Sequence, residues 1–237
     1  MSLPNLKSFK PTYTVYLPIS DKEVKFSPYT TEQEQAILIA SQDNDYKNVI
    51  VTLETLMSEC CDFVPDTIVD FSILATNMNA KSQGEGHTFV LKKCSNDDCN
   101  NTDIKITVDN ILDHIEIKNK ENIKATYDVA DNFSIRLYPT RLDMLKNISN
   151  ENSIENSKKQ IYSMIAHSIE YVFHEGNIIR DFTTDELIEK VISQLTPNQI
   201  KEINAEIGKL VSVSSNIKYV CQKCEKEFTK EVQDFLF

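Results

Sequence analysis

Two cysteine pairs constrain this chain more than any other feature. Cys94-Ser95-Asn96-Asp97-Asp98-Cys99 holds two thiols with four residues between them, and Cys221-Gln222-Lys223-Cys224 holds two with two between. Each pair follows a strand-like run and sits in a polar turn. Such turns let two sulfurs face one point while nearby amides hydrogen-bond to them. Zinc takes four soft ligands in a tetrahedron, with each sulfur at about 2.3 Å. Two pairs supply that set with nothing left over, so the spacing predicts one structural zinc ion held by Cys94, Cys99, Cys221 and Cys224. More than a hundred residues separate the pairs, and spacing alone does not bring them together. Ordinary reduced thiols on turns, or a redox CxxC, stay open at this level. Cys60 and Cys61 fall on a predicted helix, and one or both read as core packing rather than ligands.

Six cysteines do not imply disulfides here. The opening MSLPNLKSFKPTY has two lysines but no apolar run behind them, so it does not read as a secretory signal. No segment reaches the roughly 18 consecutive apolar residues that a membrane span needs. The expectation is a soluble, intracellular protein that binds no membrane. A net charge of −11 disfavours an electrostatic grip on nucleic acid. The 237 residues, 41% of them hydrophobic, suffice for a sizeable core in one large domain or two small ones.

Catalytic signatures are missing. Four glycines give a phosphate-cradling loop little material, and no GxSxG, Walker or GxGxxG pattern occurs. The histidines are His87, His114, His167 and His174. The last two read as two helical turns apart on one face, whereas zinc-hydrolase helices set two histidines four apart with a Glu beside the first. Asp97 and Asp98 read as loop solvation. Asp185 and Glu186 read as charges favouring a helix N-terminus. These features point to a non-enzymatic binding protein.

The coarse pattern predicts an α+β fold: a small antiparallel sheet, N- and C-terminal helical groups, and a zinc-ribbon-like cysteine knuckle. Residues 12–17 and 23–26 alternate around a Pro18–Asp21 turn and read as a hairpin. Thr31 with Glu34 has capping-box spacing, and helices are expected through Ala40, from Tyr46 to Cys60, and from Asp66 to about Lys81. Ser82-Gln83-Gly84-Glu85-Gly86 breaks the last of these. Residues 88–91, 103–108, 115–117 and 133–137 are expected to share one antiparallel sheet. That makes residues 1–146 a first part, with 147–157 a polar linker or exposed loop. Residues 158–237 carry the C-terminal helices and the second cysteine pair, packed as one unit with the first part. Ile161, Ile165, Ile169, Val172 and Phe173 read as one helical face. Thr183 with Glu186, and Thr196-Pro197-Asn198-Gln199, open two further helices. The two helical groups are expected to pack on each other. The terminal Phe235-Leu236-Phe237 reads as an anchor tucked into the sheet, or alternatively as a docking peptide.

Several segments, in order, resemble one family. They are YTVYLPISDKEVKFSPYTTEQEQAILIA near the start, the Phe89–Cys99 strand and cysteine pair, RLYPTRLDML, DFTTDELIEKVISQLTPNQIKEI, and the terminal YVCQKCEKEFTKEVQDFLF. Together they are similar to the T4-like bacteriophage baseplate hub assembly proteins of contractile-tailed phages. The chain departs from that pattern at Glu225, where a Gly is usual, in its Asn- and Lys-rich middle, and at Asn79–Gly84. The resemblance implies a role in building the central baseplate hub by binding other baseplate hub proteins, as a hub component or an assembly chaperone. It implies action in the host cytoplasm during assembly and leaves open a place in the virion tail baseplate. The alternative is a regulatory zinc-ribbon protein that binds nucleic acid or a host protein. Lys218, Lys223, Lys226 and Lys230 near the second pair alternate with Glu225, Glu227 and Glu231, so no basic stripe forms there. The oligomeric state is not set by the sequence.

Overall fold

Alternating side chains at the start of the chain form a hairpin. In the computed structural model, which describes residues 10–42, 46–96, 98–147 and 154–232, β1 (Tyr13–Leu17) pairs antiparallel with β2 (Lys22–Phe26). Asp21 closes the turn at φ 50°, a left-handed conformation that Asp tolerates better than most residues. Helix α1 spans Thr31–Gln42. Its capping box is one residue earlier than expected: Thr30 Oγ1 accepts from the Gln33 amide at 3.3 Å, and Gln33 Oε1 accepts from the Thr30 amide at 2.8 Å. The sequence offers both registers. Tyr29 selects the earlier one, because its amide donates to Ser82 Oγ and its hydroxyl to Asn79 Oδ1, fixing where the chain enters the helix.

Helix α2 (Tyr46–Cys60) buries Ile50, Leu53, Leu56 and Met57 along one stripe. Helix α3 (Ile68–Gln83) is capped by Thr67, whose side chain accepts from the Asp70 amide, and it ends at Gly84 with φ 107°. It buries Val69, Phe71, Ile73, Leu74, Ala75 and Met78 and so forms the centre of the first core, with the β1–β2 hairpin and α2 packed against it.

The α+β class holds, but the middle strands divide among several sheets. β3 (His87–Lys93) pairs with β4 (Thr102–Val108). β5 (Ile115–Lys118) joins the C-terminal strands instead, in the order β11–β10–β5, where β10 is Ser212–Val220 and β11 is Glu227–Val232. β6 (Ala125–Ala130) and β7 (Phe133–Leu137) build a four-stranded sheet, β6–β7–β8–β9, with β8 (Ile169–His174) and β9 (Asn177–Ile179). The β5–β10 and β7–β8 ladders thus join residues before 147 to residues after 157.

Helix α4 begins at Ile154 and stops at His167. Ile169, Val172 and Phe173 therefore lie on strand β8, not on the expected helical face. The apolar spacing suited either period, and pairing with β7 decides it. Thr183 and Thr196 both form full capping boxes, opening α5 (Thr184–Lys190) and α6 (Pro197–Gly208). Helices α4 to α6 cover the four-stranded sheet in a core of their own, around Ile135, Leu137, Ile165, Ile169, Leu187 and Ile203. The N-terminal helices do not share that core, contrary to expectation. Leu142 and Val211 sit in the first core and bring the later chain against it. No helix among the described residues is long and apolar enough to cross a membrane. Asp97 and Phe235–Phe237 lie outside the described residues.

Candidate metal centre

Each cysteine pair sits at the tip of an antiparallel hairpin. At the β3–β4 tip, the Cys94 amide donates to the Asn101 carbonyl at 3.0 Å and the Cys99 amide to the Asn96 carbonyl at 2.9 Å. At the β10–β11 tip, the Cys221 amide donates to the Lys226 carbonyl at 3.0 Å and the Glu225 amide to the Cys221 carbonyl at 2.8 Å. Glu225 holds a left-handed φ of 57° there. The tips meet because their strands face each other: Ile104 and Ile106 of β4 pack in one core with Ile217 and Tyr219 of β10. The Tyr219 hydroxyl closes the join, 2.9 Å from Ser95 Oγ.

This packing brings the four sulfurs of Cys94, Cys99, Cys221 and Cys224 within 4.8 Å of one another. Cys94 and Cys224 are 3.9 Å apart, as are Cys99 and Cys221. A tetrahedron with metal–sulfur bonds of about 2.3 Å has edges of about 3.8 Å. The set therefore has the donor type, number and spacing to hold a metal ion. Cys94, Cys99 and Cys221 are buried and Cys224 is half-buried.

Hydrogen bonds to sulfur complete the centre. Asn101 Nδ2 donates to Cys221 Sγ at 3.4 Å, and the Asn96 amide approaches Cys94 Sγ at 3.5 Å. Donors of this kind support thiolate charge. Cys221 is pulled down to about 6, by the backbone amide of Cys224 first and the Asn101 side chain next. Cys94 goes the other way, to about 12: the Asn96 amide lowers it, but burial and the sulfurs of Cys221, Cys224 and Cys99 outweigh that pull. Four clustered thiols resist carrying four negative charges, and a dication removes the conflict. Asn101 was not singled out in the sequence. Its signal is an amide side chain two residues past Cys99, meaningful only once the second pair is in place.

The other candidates lie elsewhere. The Cys61 thiol contacts Met78 Sδ at 3.4 Å, and burial pushes it up to about 12. Cys60 lies beside Gln33. Both pack against the first core, Cys60 as the last residue of α2 and Cys61 one residue beyond it, in a bridge to Phe26 rather than on the expected helix. His167 ends α4 and His174 ends β8 against the Phe133 ring, so the two are not on one helical face. Asp185 and Glu186 occupy the first turn of α5 as expected.

Residues 10–236 match the family of the T4 bacteriophage base plate protein. The chain belongs to that family. The span matched to the baseplate family takes in both cysteine hairpins and all three cores. Neither a curated protein nor a solved structure matches this baseplate protein.

Proposed function

We propose that this baseplate protein acts in assembly of the tail hub, by binding other baseplate hub proteins, and that its cysteine centre holds one structural zinc. The observation that carries the reading is the family match over residues 10–236, nearly the whole chain. The hub is what the resemblance of the ordered motifs implies, from the LP turn after β1 to the terminal cysteine knuckle. Recognition rather than turnover is the chemistry. Cys94, Cys99, Cys221 and Cys224 would hold the ion, whose part is to clip the C-terminal hairpin to the β3–β4 hairpin. The site of action is the host cytoplasm during assembly, and hub component and assembly chaperone are both compatible with it. Pull-down of the tagged protein from phage-infected cells, followed by mass spectrometry, tests the reading. Enrichment of hub proteins is expected. Capture of nucleic acid or host regulators without baseplate proteins would overturn it.

A further inference from the structure

The chain from Cys99 to Ile115 packs with β10 through the core that holds Ile104, Ile106, Ile217 and Tyr219, but among the described residues backbone pairing joins the two only at Ile115. At one end Cys99 abuts Cys221 at 3.9 Å. At the other, Ile115 pairs with Ser215 in the β5–β10 ladder. Among the described residues, between these points β4 ladders only with β3, and β10 from Asn216 to Val220 only with β11. Two strand edges therefore face a common groove of about 510 Å³. Every residue from 101 to 107 lines it, as do Lys218, Tyr219 and Val220. A strand face presents alternate residues, whereas an edge presents successive ones, so the groove is walled by edges. Such edges carry rows of unpaired amides and carbonyls, which template a further strand.

The side chains narrow the chemistry of the occupant. Lys105 and Lys218 are exposed in the groove, and among the described residues neither forms an ion pair. Asp103 is the one carboxylate in the lining, in a chain whose net charge is −11. Val220 adds an apolar surface that is 59% exposed. The geometry points to a strand-accepting groove: we propose that it takes an extended, acidic segment of another baseplate protein, paired through its backbone to the free edge of β4. This rests on the reading that the protein works by binding baseplate partners.

The test uses the full chain and a labelled, end-blocked heptapeptide alternating Glu and Val, with a second peptide carrying proline at its centre. Saturable binding of the first peptide is expected. It should weaken about tenfold or more in the double variant Lys105→Glu/Lys218→Glu, where attraction becomes repulsion, and vanish for the proline peptide, which breaks strand pairing. Circular dichroism and metal content should match the wild type in that variant. No saturable binding, equal binding by the variant, or equal binding of the proline peptide overturns the groove. Pull-down from infected cells separates the two readings. If wild type and variant capture the same baseplate proteins equally, the groove fails and the assembly role stands. If the wild type captures none, both fall.

Discussion

Cys99 Sγ and Cys221 Sγ lie 3.9 Å apart across 122 positions of sequence. A zinc ion held there with Cys94 and Cys224 closes a loop that is costly to close otherwise. Zinc–thiolate sites in small peptides contribute on the order of 10–16 kcal/mol. A protein with two further cores depends on the site less, by several kcal/mol rather than for all its stability. The purified protein should contain about one zinc per chain by elemental analysis. Cys94→Ser and Cys221→Ser should destabilise equally, and the double variant little more than either, because one site breaks once. Cys60→Ser should keep its metal. Protein purified without chelator yet free of metal, or metal that survives loss of the Cys94–Cys99 pair, would sink the site.

Asp70 is fully buried, and its carboxylate accepts the Ile19 amide at 3.0 Å and both the amide and hydroxyl of Ser20 at 2.7 Å. It ties the first hairpin turn to the start of α3. Asp70→Ala leaves those donors unsatisfied and should cost about 3 kcal/mol or more in urea unfolding. Ser20→Ala removes one hydroxyl and should cost about 1 kcal/mol. Equal losses for the two would show that the carboxylate is not the organising group.

Glu225 holds a left-handed backbone at φ 57° in the second cysteine turn, the position where the resembled family usually has Gly. That conformation costs a non-glycine residue about 1–2 kcal/mol, while glycine adds about 0.5–1 kcal/mol of backbone entropy loss on folding. The first effect is the larger, so Glu225→Gly should stabilise by up to about 1 kcal/mol with metal retained. A lower melting temperature for this variant would contradict the account.

Local chemistry was legible in the sequence, and long-range geometry was not. The boxes at Thr183 and Thr196 depend on residues three apart, and both formed. The cysteine pairs were legible as pairs. Their meeting depends on Ile104 and Ile106 facing Ile217 and Tyr219, a contact between distant strands. Strand β8 was hidden because Ile165, Ile169 and Val172 fit a helical period, and only its ladder with β7 settles the matter. The early cap at Thr30 was missed for the same reason: the choice is made by Tyr29 hydrogen-bonding to residues of α3, about fifty positions away. Asp70 reads locally as a first-turn acid, and nothing near it in sequence announces Ile19 and Ser20.

The capping box of α5 makes a pH prediction. Glu186 accepts the Thr183 amide at 3.0 Å and pairs with Lys190 at 2.9 Å. The Thr183 backbone first, and Lys190 next, hold its carboxyl down at about 2, against an ordinary 4.5. A carboxylate with a lowered folded value contributes stability that is fully present above about 4.5 and is lost as pH falls through about 2. The melting temperature of the wild type should therefore exceed that of Glu186→Gln above pH 5. The gap should close between pH 4.5 and 2. Acid also protonates the cysteine centre, but both proteins share that change, so the difference between them isolates the box. Thr183→Ala removes the reciprocal bond and should cost about 1 kcal/mol at neutral pH. A gap between wild type and Glu186→Gln that stays constant from pH 5 to pH 2 would show that the carboxylate charge contributes nothing there.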